Sequence, residues 1–220
     1  MPLRVVDVLP DRLYRIGRPP NPLAAPPRAF IGGGRYDDPR REFVVLYAAQ
    51  ERRAAFIETL DAFRPAIADL ATIEQALAPA GDSRAAAIIP QSYFDRLIGI
   101  FRLSSGQEWL DLRSPETHQA LRREISDTLV TLGYRDRFVL GDLLASDHRL
   151  TREIARWAFE RGYNGIAYPS CHDPGLTCWA IFEQAIIEPL PPFQTIRPDD
   201  PDLIAVAALF QLVIPEQTKA

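Results

Sequence analysis

Strand-like and helix-like segments follow one another along this 220-residue chain in an irregular order, which constrains the fold more than any single motif. Apolar, β-branched and aromatic runs predict strands over 12–16, 43–47, 85–89, 96–103, 108–112, 164–168 and 177–182. The strands over 96–103 and 108–112 are predicted to be joined by the turn Ser104-Ser105-Gly106. Apolar residues at helical spacing predict helices over 50–63, 114–132 and 146–161, and the apolar segment 203–214 fits a helix better than a strand. Ser114 can cap the second of these helices, and the apolar face of the third includes Leu150, Ile154, Trp157 and Ala158. Because strands and helices do not alternate steadily, the order favours an α+β fold, or an irregular α/β fold, over a doubly wound sheet.

The composition is that of an ordinary globular protein. Hydrophobic residues make up 47% and charged residues 25% of the chain, which excludes disordered and collagen-like proteins. We expect a single domain over 1–220, with a core over about 12–190 and a C-terminal segment, 199–214, that packs on the core or on a partner. The formal net charge of −4 argues against direct nucleic-acid binding through bulk positive charge.

Several features predict a cytoplasmic protein that does not cross a membrane. Two cysteines, Cys171 and Cys178, are too few for a disulfide framework, which favours a reducing compartment. No run reaches the roughly 18 apolar residues of a membrane span, and the apolar run at the N-terminus is too short for a secretion signal.

Two breaker-rich segments mark loops. The segment 18–27 contains five prolines, so it predicts a surface loop. The run Gly32-Gly33-Gly34 predicts a turn whose backbone can approach a ligand closely. It lacks the glycine spacing of a dinucleotide-binding turn, and neither a phosphate-binding loop motif nor a Gly-x-Ser-x-Gly elbow occurs.

The histidines and cysteines do not predict a metal site. Cys171, His172 and Cys178 have a spacing that matches no common zinc pattern, and no carboxylates cluster with them in the sequence. We interpret the two cysteines as a buried thiol pair near a strand.

The candidate chemistry lies in polar residues at the ends of apolar strands. They are Tyr14-Arg15 at the first strand, Arg35 and Tyr36 after the glycine turn, Tyr47 closing the next strand, Glu58 on the following helix, and Ser170 after Tyr168-Pro169.

This ordered set resembles the RES domain, a family named for its Arg, Glu and Ser. The resemblance rests on Tyr14-Arg15, Gly34-Arg35, Leu46-Tyr47, Ile57-Glu58 and the stretch 162–170, Gly-Tyr-Asn-Gly-Ile-Ala-Tyr-Pro-Ser, which is similar to the closing motif of the family. It runs from about Tyr14 to Phe182, most of the chain.

The resemblance implies a toxin of a RES–Xre toxin–antitoxin pair, with a fold similar to that of ADP-ribosyltransferases. Such toxins degrade NAD⁺ by cleaving its nicotinamide–ribose bond, so NAD⁺ is a substrate, inorganic phosphate is a candidate co-substrate, and no cofactor or metal is implied. The implied partner is an Xre-type helix-turn-helix antitoxin, in a complex that could contain a toxin homodimer. The implied catalytic residues are Glu58, Arg35 and Ser170, and the implied NAD⁺-binding residues are Arg15, Tyr36 and Tyr47.

The residue types suit this chemistry. Glu58 follows an apolar strand and is flanked by apolar residues, so we expect a buried carboxylate that stabilises positive charge on the ribose or accepts a proton. Arg15 and Arg35 suit a pyrophosphate, and Tyr47 offers a flat face to the nicotinamide ring. Ser170 can donate to a phosphate or position the nucleophile. Two alternatives remain: transfer of ADP-ribose to a protein target, and a non-enzymatic member that only binds an antitoxin.

Overall fold

A computed structural model describes residues 3–65 and 87–216 of the chain. The described part combines one large mixed sheet with helices on its faces, which confirms the α+β fold class. The strands are β1 (Leu13–Gly17), β2 (Val45–Ala49), β3 (Ala87–Ile88), β4 (Leu97–Leu103), β5 (Trp109–Asp111), β6 (Gly165–Pro169), β7 (Thr177–Phe182), β8 (Ile187–Pro189), β9 (Gln194–Thr195) and β10 (Leu212–Val213).

The helices of the described residues confirm the four predicted helical segments and add one. They are α1 (Arg52–Leu60), α2 (Pro115–Glu124), α3 (Ser126–Thr131), α4 (Leu140–Leu144), α5 (Arg149–Glu160) and α6 (Pro201–Phe210), with short 3₁₀ turns at Arg28–Phe30, Asp61–Phe63 and Gln91–Tyr93. None of these helices is long and apolar enough to cross a membrane.

The large sheet has the strand order β5-β6-β7-β2-β1-β4-β8, with β9 also paired to β4. Its pairs are antiparallel except β5 with β6. In register, Tyr47 on β2 lies opposite Ala180 on β7, and Tyr168 on β6 lies opposite Cys178 on β7. The order therefore brings β1 with Arg15, β2 with Tyr47, and the end of β6, which Ser170 follows, into one region of the sheet.

Helices cover the sheet with apolar faces that the sequence pattern predicts. The predicted face of α5, which includes Leu150, Ile154, Trp157 and Ala158, is buried in a core cluster with β2, β6 and β7. A second cluster packs α1 against α6, which buries Leu203 and Phe210. Because α1 follows β2 directly, this packing fixes the position of α1 beside the central strands.

Some predicted elements differ from the structure. The strands on either side of the turn at 104–106 do not pair, because β5 pairs with β6 at one end of the sheet and β4 lies towards the other. The helix predicted over 114–132 begins at the Ser114 cap, whose side chain accepts from the Thr117 N–H, but it is interrupted at Ile125. The segment 203–214 forms helix α6 and then strand β10. Of the strand predicted over 85–89, residues 85 and 86 lie outside the described residues.

Candidate functional site

A cavity of about 420 Å³ opens between β1, β2, α1 and the loop that follows β6. Four of the six predicted site residues line it. The lining consists of Tyr14, Arg15, Ile16, Gly34, Arg35, Tyr47, Ala48, Ala49, Ala55, Glu58, Thr59, Asp61, His148, Tyr168, Cys171 and His172. The structure therefore brings together two guanidinium groups, a carboxylate and aromatic rings that are far apart in the sequence.

Arg15 is half-buried and held by main-chain oxygens. Its Nε donates to the carbonyl of Pro22 over 3.0 Å, and its Nη1 donates to the carbonyl of Tyr47 over 2.8 Å. Burial lowers the pKa of Arg15 to about 10, so the group remains cationic at neutral pH.

Arg35 enters the same cavity from the glycine turn. Its Nη1 donates to the carbonyls of Leu143 over 2.8 Å and Ala145 over 2.7 Å, at the end of α4, the helix that the sequence pattern did not predict. An arginine has five N–H donors. Within residues 3–65 and 87–216, two donors of Arg35 and two of Arg15 bind protein oxygens, and neither arginine pairs with a carboxylate. Both groups therefore keep charge and donors for an anionic ligand.

Glu58 is exposed in the cavity, so the expectation of a buried carboxylate is wrong. Its neighbours Ala54, Ala55 and Ile57 are buried, but Glu58 lies on the face of α1 that borders the open cavity. Its Oε1 accepts from Ser170 Oγ over 2.6 Å and from Cys178 Sγ over 3.4 Å. The carboxylate is thus oriented on one side and accessible to a ligand.

Ser170 itself is fully buried and does not belong to the cavity lining. Its Oγ accepts from the N–H of His172 over 3.1 Å while it donates to Glu58. The predicted contact of Ser170 with a phosphate or a nucleophile is therefore corrected: its hydroxyl is occupied in orienting the carboxylate.

Tyr47 is fixed by an acidic residue that sequence reasoning missed. Its hydroxyl donates to Asp37 Oδ1 over 2.8 Å and accepts from the Tyr36 N–H over 2.9 Å. Burial, followed by the Asp37 charge, raises the pKa of Tyr47 well above its usual value, so the phenol stays protonated.

The same carboxylate shapes the glycine turn. Asp37 Oδ2 accepts from the N–H groups of Gly32 over 2.8 Å and of Gly34 over 2.7 Å. A Cβ on Gly34 would overlap the hydroxyl of Tyr47 and lie 2.6 Å from Asp37 Oδ1, so only glycine fits at this close approach.

Tyr36 lies behind the cavity rather than in it. Its side chain is 1% exposed and packs on Tyr168, with the ring centroids 4.4 Å apart. The prediction that the Tyr36 side chain contacts a ligand is therefore wrong, because the side chain is buried outside the cavity lining. Tyr36 contributes packing, and its main-chain N–H holds Tyr47.

Cys171 and His172 are further cavity residues that sequence reasoning did not place in the site. A hydrogen bond with His172 lowers the pKa of Cys171, and the same bond raises the pKa of His172. His172 Nδ1 also lies 3.7 Å from Asp61 Oδ1. The signal was available in the sequence, because both residues directly follow Ser170.

His148 and Tyr168 are two more cavity residues that were not predicted to belong to the site. Burial, then the charges of Arg35 and Arg152, lower the pKa of His148, so its imidazole is neutral at pH 7. Tyr168 belonged to the quoted closing motif, whereas nothing in the sequence around His148 indicated the cavity.

The two cysteines do not form the predicted buried thiol pair, since Cys171 is exposed and Cys178 is buried. Burial, then Glu58, raise the pKa of Cys178, so its thiol stays protonated. Among the described residues, no group of three or more histidine, cysteine or acidic side chains could hold a metal ion.

The cavity therefore joins two unpaired guanidinium groups, as far as the structure describes the chain, with an accessible, oriented carboxylate. A family model of the RES domain matches residues 12–197. The chain belongs to the RES-domain family. This assignment confirms the resemblance inferred from the ordered arginine, glutamate and serine motifs.

A solved structure shares the fold of this RES domain. A chain of the crystal structure of the M. tuberculosis MbcT–MbcA toxin–antitoxin complex matches it with a TM-score of 0.55 and 16% sequence identity. The match covers 94% of the present chain and 90% of that one. No curated protein matches the sequence.

Proposed function

We propose that this RES domain is a toxin that cleaves the nicotinamide–ribose bond of NAD⁺. The observation that carries the proposal is the exposed Glu58 carboxylate, held by Ser170 in the cavity that Arg15 and Arg35 also line. An anionic ligand with an electrophilic carbon matches this combination of charges.

The leaving group explains why a single oriented carboxylate suffices. Nicotinamide is cationic in NAD⁺ and departs as a neutral pyridine when the electron pair of its bond to the ribose C1″ returns to nitrogen. No general acid is required, in contrast to the carboxyl pair of ordinary glycosidases. Glu58 stabilises the positive charge that develops on the ribose, and its free oxygen can accept the proton of the attacking water or phosphate.

The pyrophosphate of NAD⁺ is anionic, so it requires positively charged partners. Arg15 and Arg35 supply planar donor sets that remain cationic, and main-chain carbonyls fix both side chains in place. Because both side chains are already held in place, binding of the anion costs little further side-chain entropy. Tyr47, fixed by Asp37, and Tyr168 supply aromatic lining for the nicotinamide end.

The proposed partner is an antitoxin that blocks this cavity. The fold match to a chain of a toxin–antitoxin complex supports such a partner, for which we propose an Xre-type helix-turn-helix protein and a complex that contains a toxin homodimer. The net charge of −4 is consistent with DNA contact through the partner alone.

Product analysis tests the proposal. The purified chain is incubated with NAD⁺ in phosphate-free buffer and in phosphate buffer, and products are identified by mass spectrometry and ³¹P NMR. We expect free nicotinamide in both or in the phosphate arm alone, with ADP-ribose when water accepts and a phosphorylated ADP-ribose when phosphate accepts. Folded protein that releases no nicotinamide in either arm contradicts the proposal, and ADP-ribose attached to an added protein without free product assigns a transferase instead.

A further inference from the structure

A second cavity adjoins the first along β1. It encloses about 610 Å³ and is bounded by the proline-rich loop 18–27, by Phe30 and by Arg96. Arg15 and Ile16 line both cavities. The guanidinium group of Arg15, whose Nε binds the loop and whose Nη1 binds β2, therefore lies at the junction between the two.

The proline-rich loop packs against the sheet and forms one wall of the second cavity. A Cβ on Gly17 would overlap the backbone of Pro22, and a Cβ on Gly99 would lie 2.5 Å from Leu23 Cδ2, so the loop lies directly on β1 and β4. Leu23 is only 7% exposed, and its N–H donates to Asn21 Oδ1 over 3.0 Å. The second cavity is thus preformed, which favours a ligand site over an accidental gap.

The lining of the second cavity is apolar and carries positive charge. Prolines and alanines of the loop form half of the lining residues, and Phe30 is 74% exposed beside them. Arg15, Arg18 and Arg96 supply three cationic groups, and the described lining contains no carboxylate. This combination fits a flat heterocycle that carries a phosphate.

We propose that the second cavity binds the adenosine half of the dinucleotide, with the pyrophosphate beside Arg15. This inference rests on the proposed function and extends it to the second cavity. A molecule with an anionic centre and a ring at each end matches two cavities joined at one guanidinium group. Phe30 contacts the adenine ring, and Arg18 adds positive charge on the adenosine side of the pyrophosphate.

The proposal makes the second cavity a determinant of binding and not of bond cleavage. Nicotinamide mononucleotide carries the scissile bond but lacks the adenosine half, so it cannot use this cavity. ADP carries the adenosine half and the pyrophosphate but lacks the scissile bond, so its binding reports on the cavity without any turnover.

The test compares the double variant R18Q/F30A with the unmodified chain and with the matched control R123Q/V130A. Arg18 and Phe30 are exposed, so their removal leaves the core intact, and the exposed Arg123 and Val130 line neither cavity. Calorimetry measures the dissociation constant of ADP, and nicotinamide release measures KM and kcat for NAD⁺ and for nicotinamide mononucleotide.

We expect R18Q/F30A to raise the dissociation constant of ADP and the KM for NAD⁺ about tenfold, with the kcat for NAD⁺ and the KM for the mononucleotide unchanged. The control should match the unmodified chain. ADP that fails to bind, or binds all three proteins equally, overturns the inference even when NAD⁺ is cleaved. The proposed function fails separately, when ADP binding depends on Arg18 and Phe30 but neither nicotinamide substrate is cleaved.

Discussion

The hydroxyl of Ser170 donates to Glu58 Oε1 over 2.6 Å and joins the loop after β6 to the helix after β2. Ser170 is fully buried, whereas Glu58 is exposed in the cavity. Under the proposed function, the serine therefore acts on the substrate only through the carboxylate that it orients. This relationship gives the glutamate and the serine of the family name distinct physical roles here.

Substitution S170A should lower kcat for nicotinamide release by about ten- to a hundredfold and leave KM nearly unchanged. A hydrogen bond to a charged group contributes about 1.5–3 kcal/mol, and here that energy holds the geometry of the reacting carboxylate. Steady-state kinetics measure both constants, with S105A in an exposed turn as the matched control. A rise in KM at constant kcat would show instead that Ser170 binds the substrate.

The Asp37–Tyr47 bond should be measurable as a coupling energy. Asp37 is 6% exposed and accepts three hydrogen bonds, so D37A should lower the free energy of unfolding by about 3 kcal/mol because buried donors lose their acceptor. Urea denaturation of D37A, Y47F and the double variant gives the coupling, which we expect at about 1 kcal/mol or more. Additive effects of the two substitutions would contradict the bond, and D11A at an exposed position serves as the control.

Cys171 should react with iodoacetamide in the folded protein while Cys178 stays unmodified. Since the hydrogen bond with His172 lowers the pKa of Cys171, the midpoint of its rate–pH profile should lie below that of an unperturbed thiol. Substitution H172Q removes this effect and should move the midpoint upwards.

Because Cys171 lines the cavity with Glu58, alkylation should also stop nicotinamide release, and NAD⁺ should protect the thiol. Peptide mass spectrometry follows both cysteines. Equal modification of Cys171 and Cys178, or an unshifted profile in H172Q, would contradict this description of the cavity.

Arg35 should bind substrate through its planar donor set and not through charge alone. Substitution R35K keeps the charge but loses the fork that holds the carbonyls of Leu143 and Ala145, so KM for NAD⁺ should rise at least about tenfold. The exposed Arg40 provides the control R40K. An R35K variant with unchanged KM would exclude Arg35 from the binding of the pyrophosphate.

Local patterns in the sequence predicted the strands and helices that carry the site, because periodicity and breakers act over a few residues. The face of α5 and the Ser114 cap were predicted for this reason. Pairing between strands that are distant in the sequence leaves no such signal. The sequence therefore predicted the turn between β4 and β5, but not that these two strands lie in different parts of the sheet.

The difference between local sequence patterns and long-range packing also applies to the candidate site. Arg15, Arg35, Tyr47 and Glu58 were found through the family motif, and the structure places all four around one cavity. Burial depends on tertiary packing, so the exposure of Glu58 and the burial of Ser170 and Tyr36 were not predicted. Asp37 and His148 belong to no quoted motif and enter the site only through the folded backbone.

The rate of nicotinamide release from NAD⁺ by the unmodified chain and by E58Q tests the central claim most directly. E58Q keeps the shape of the side chain and removes its charge, and E153Q on α5, outside both cavities, is the matched control. We predict release by the unmodified chain and E153Q, and a loss of about a hundredfold or more in E58Q with an unchanged unfolding transition. Equal release by E58Q, or no release by the folded unmodified chain, would contradict the account.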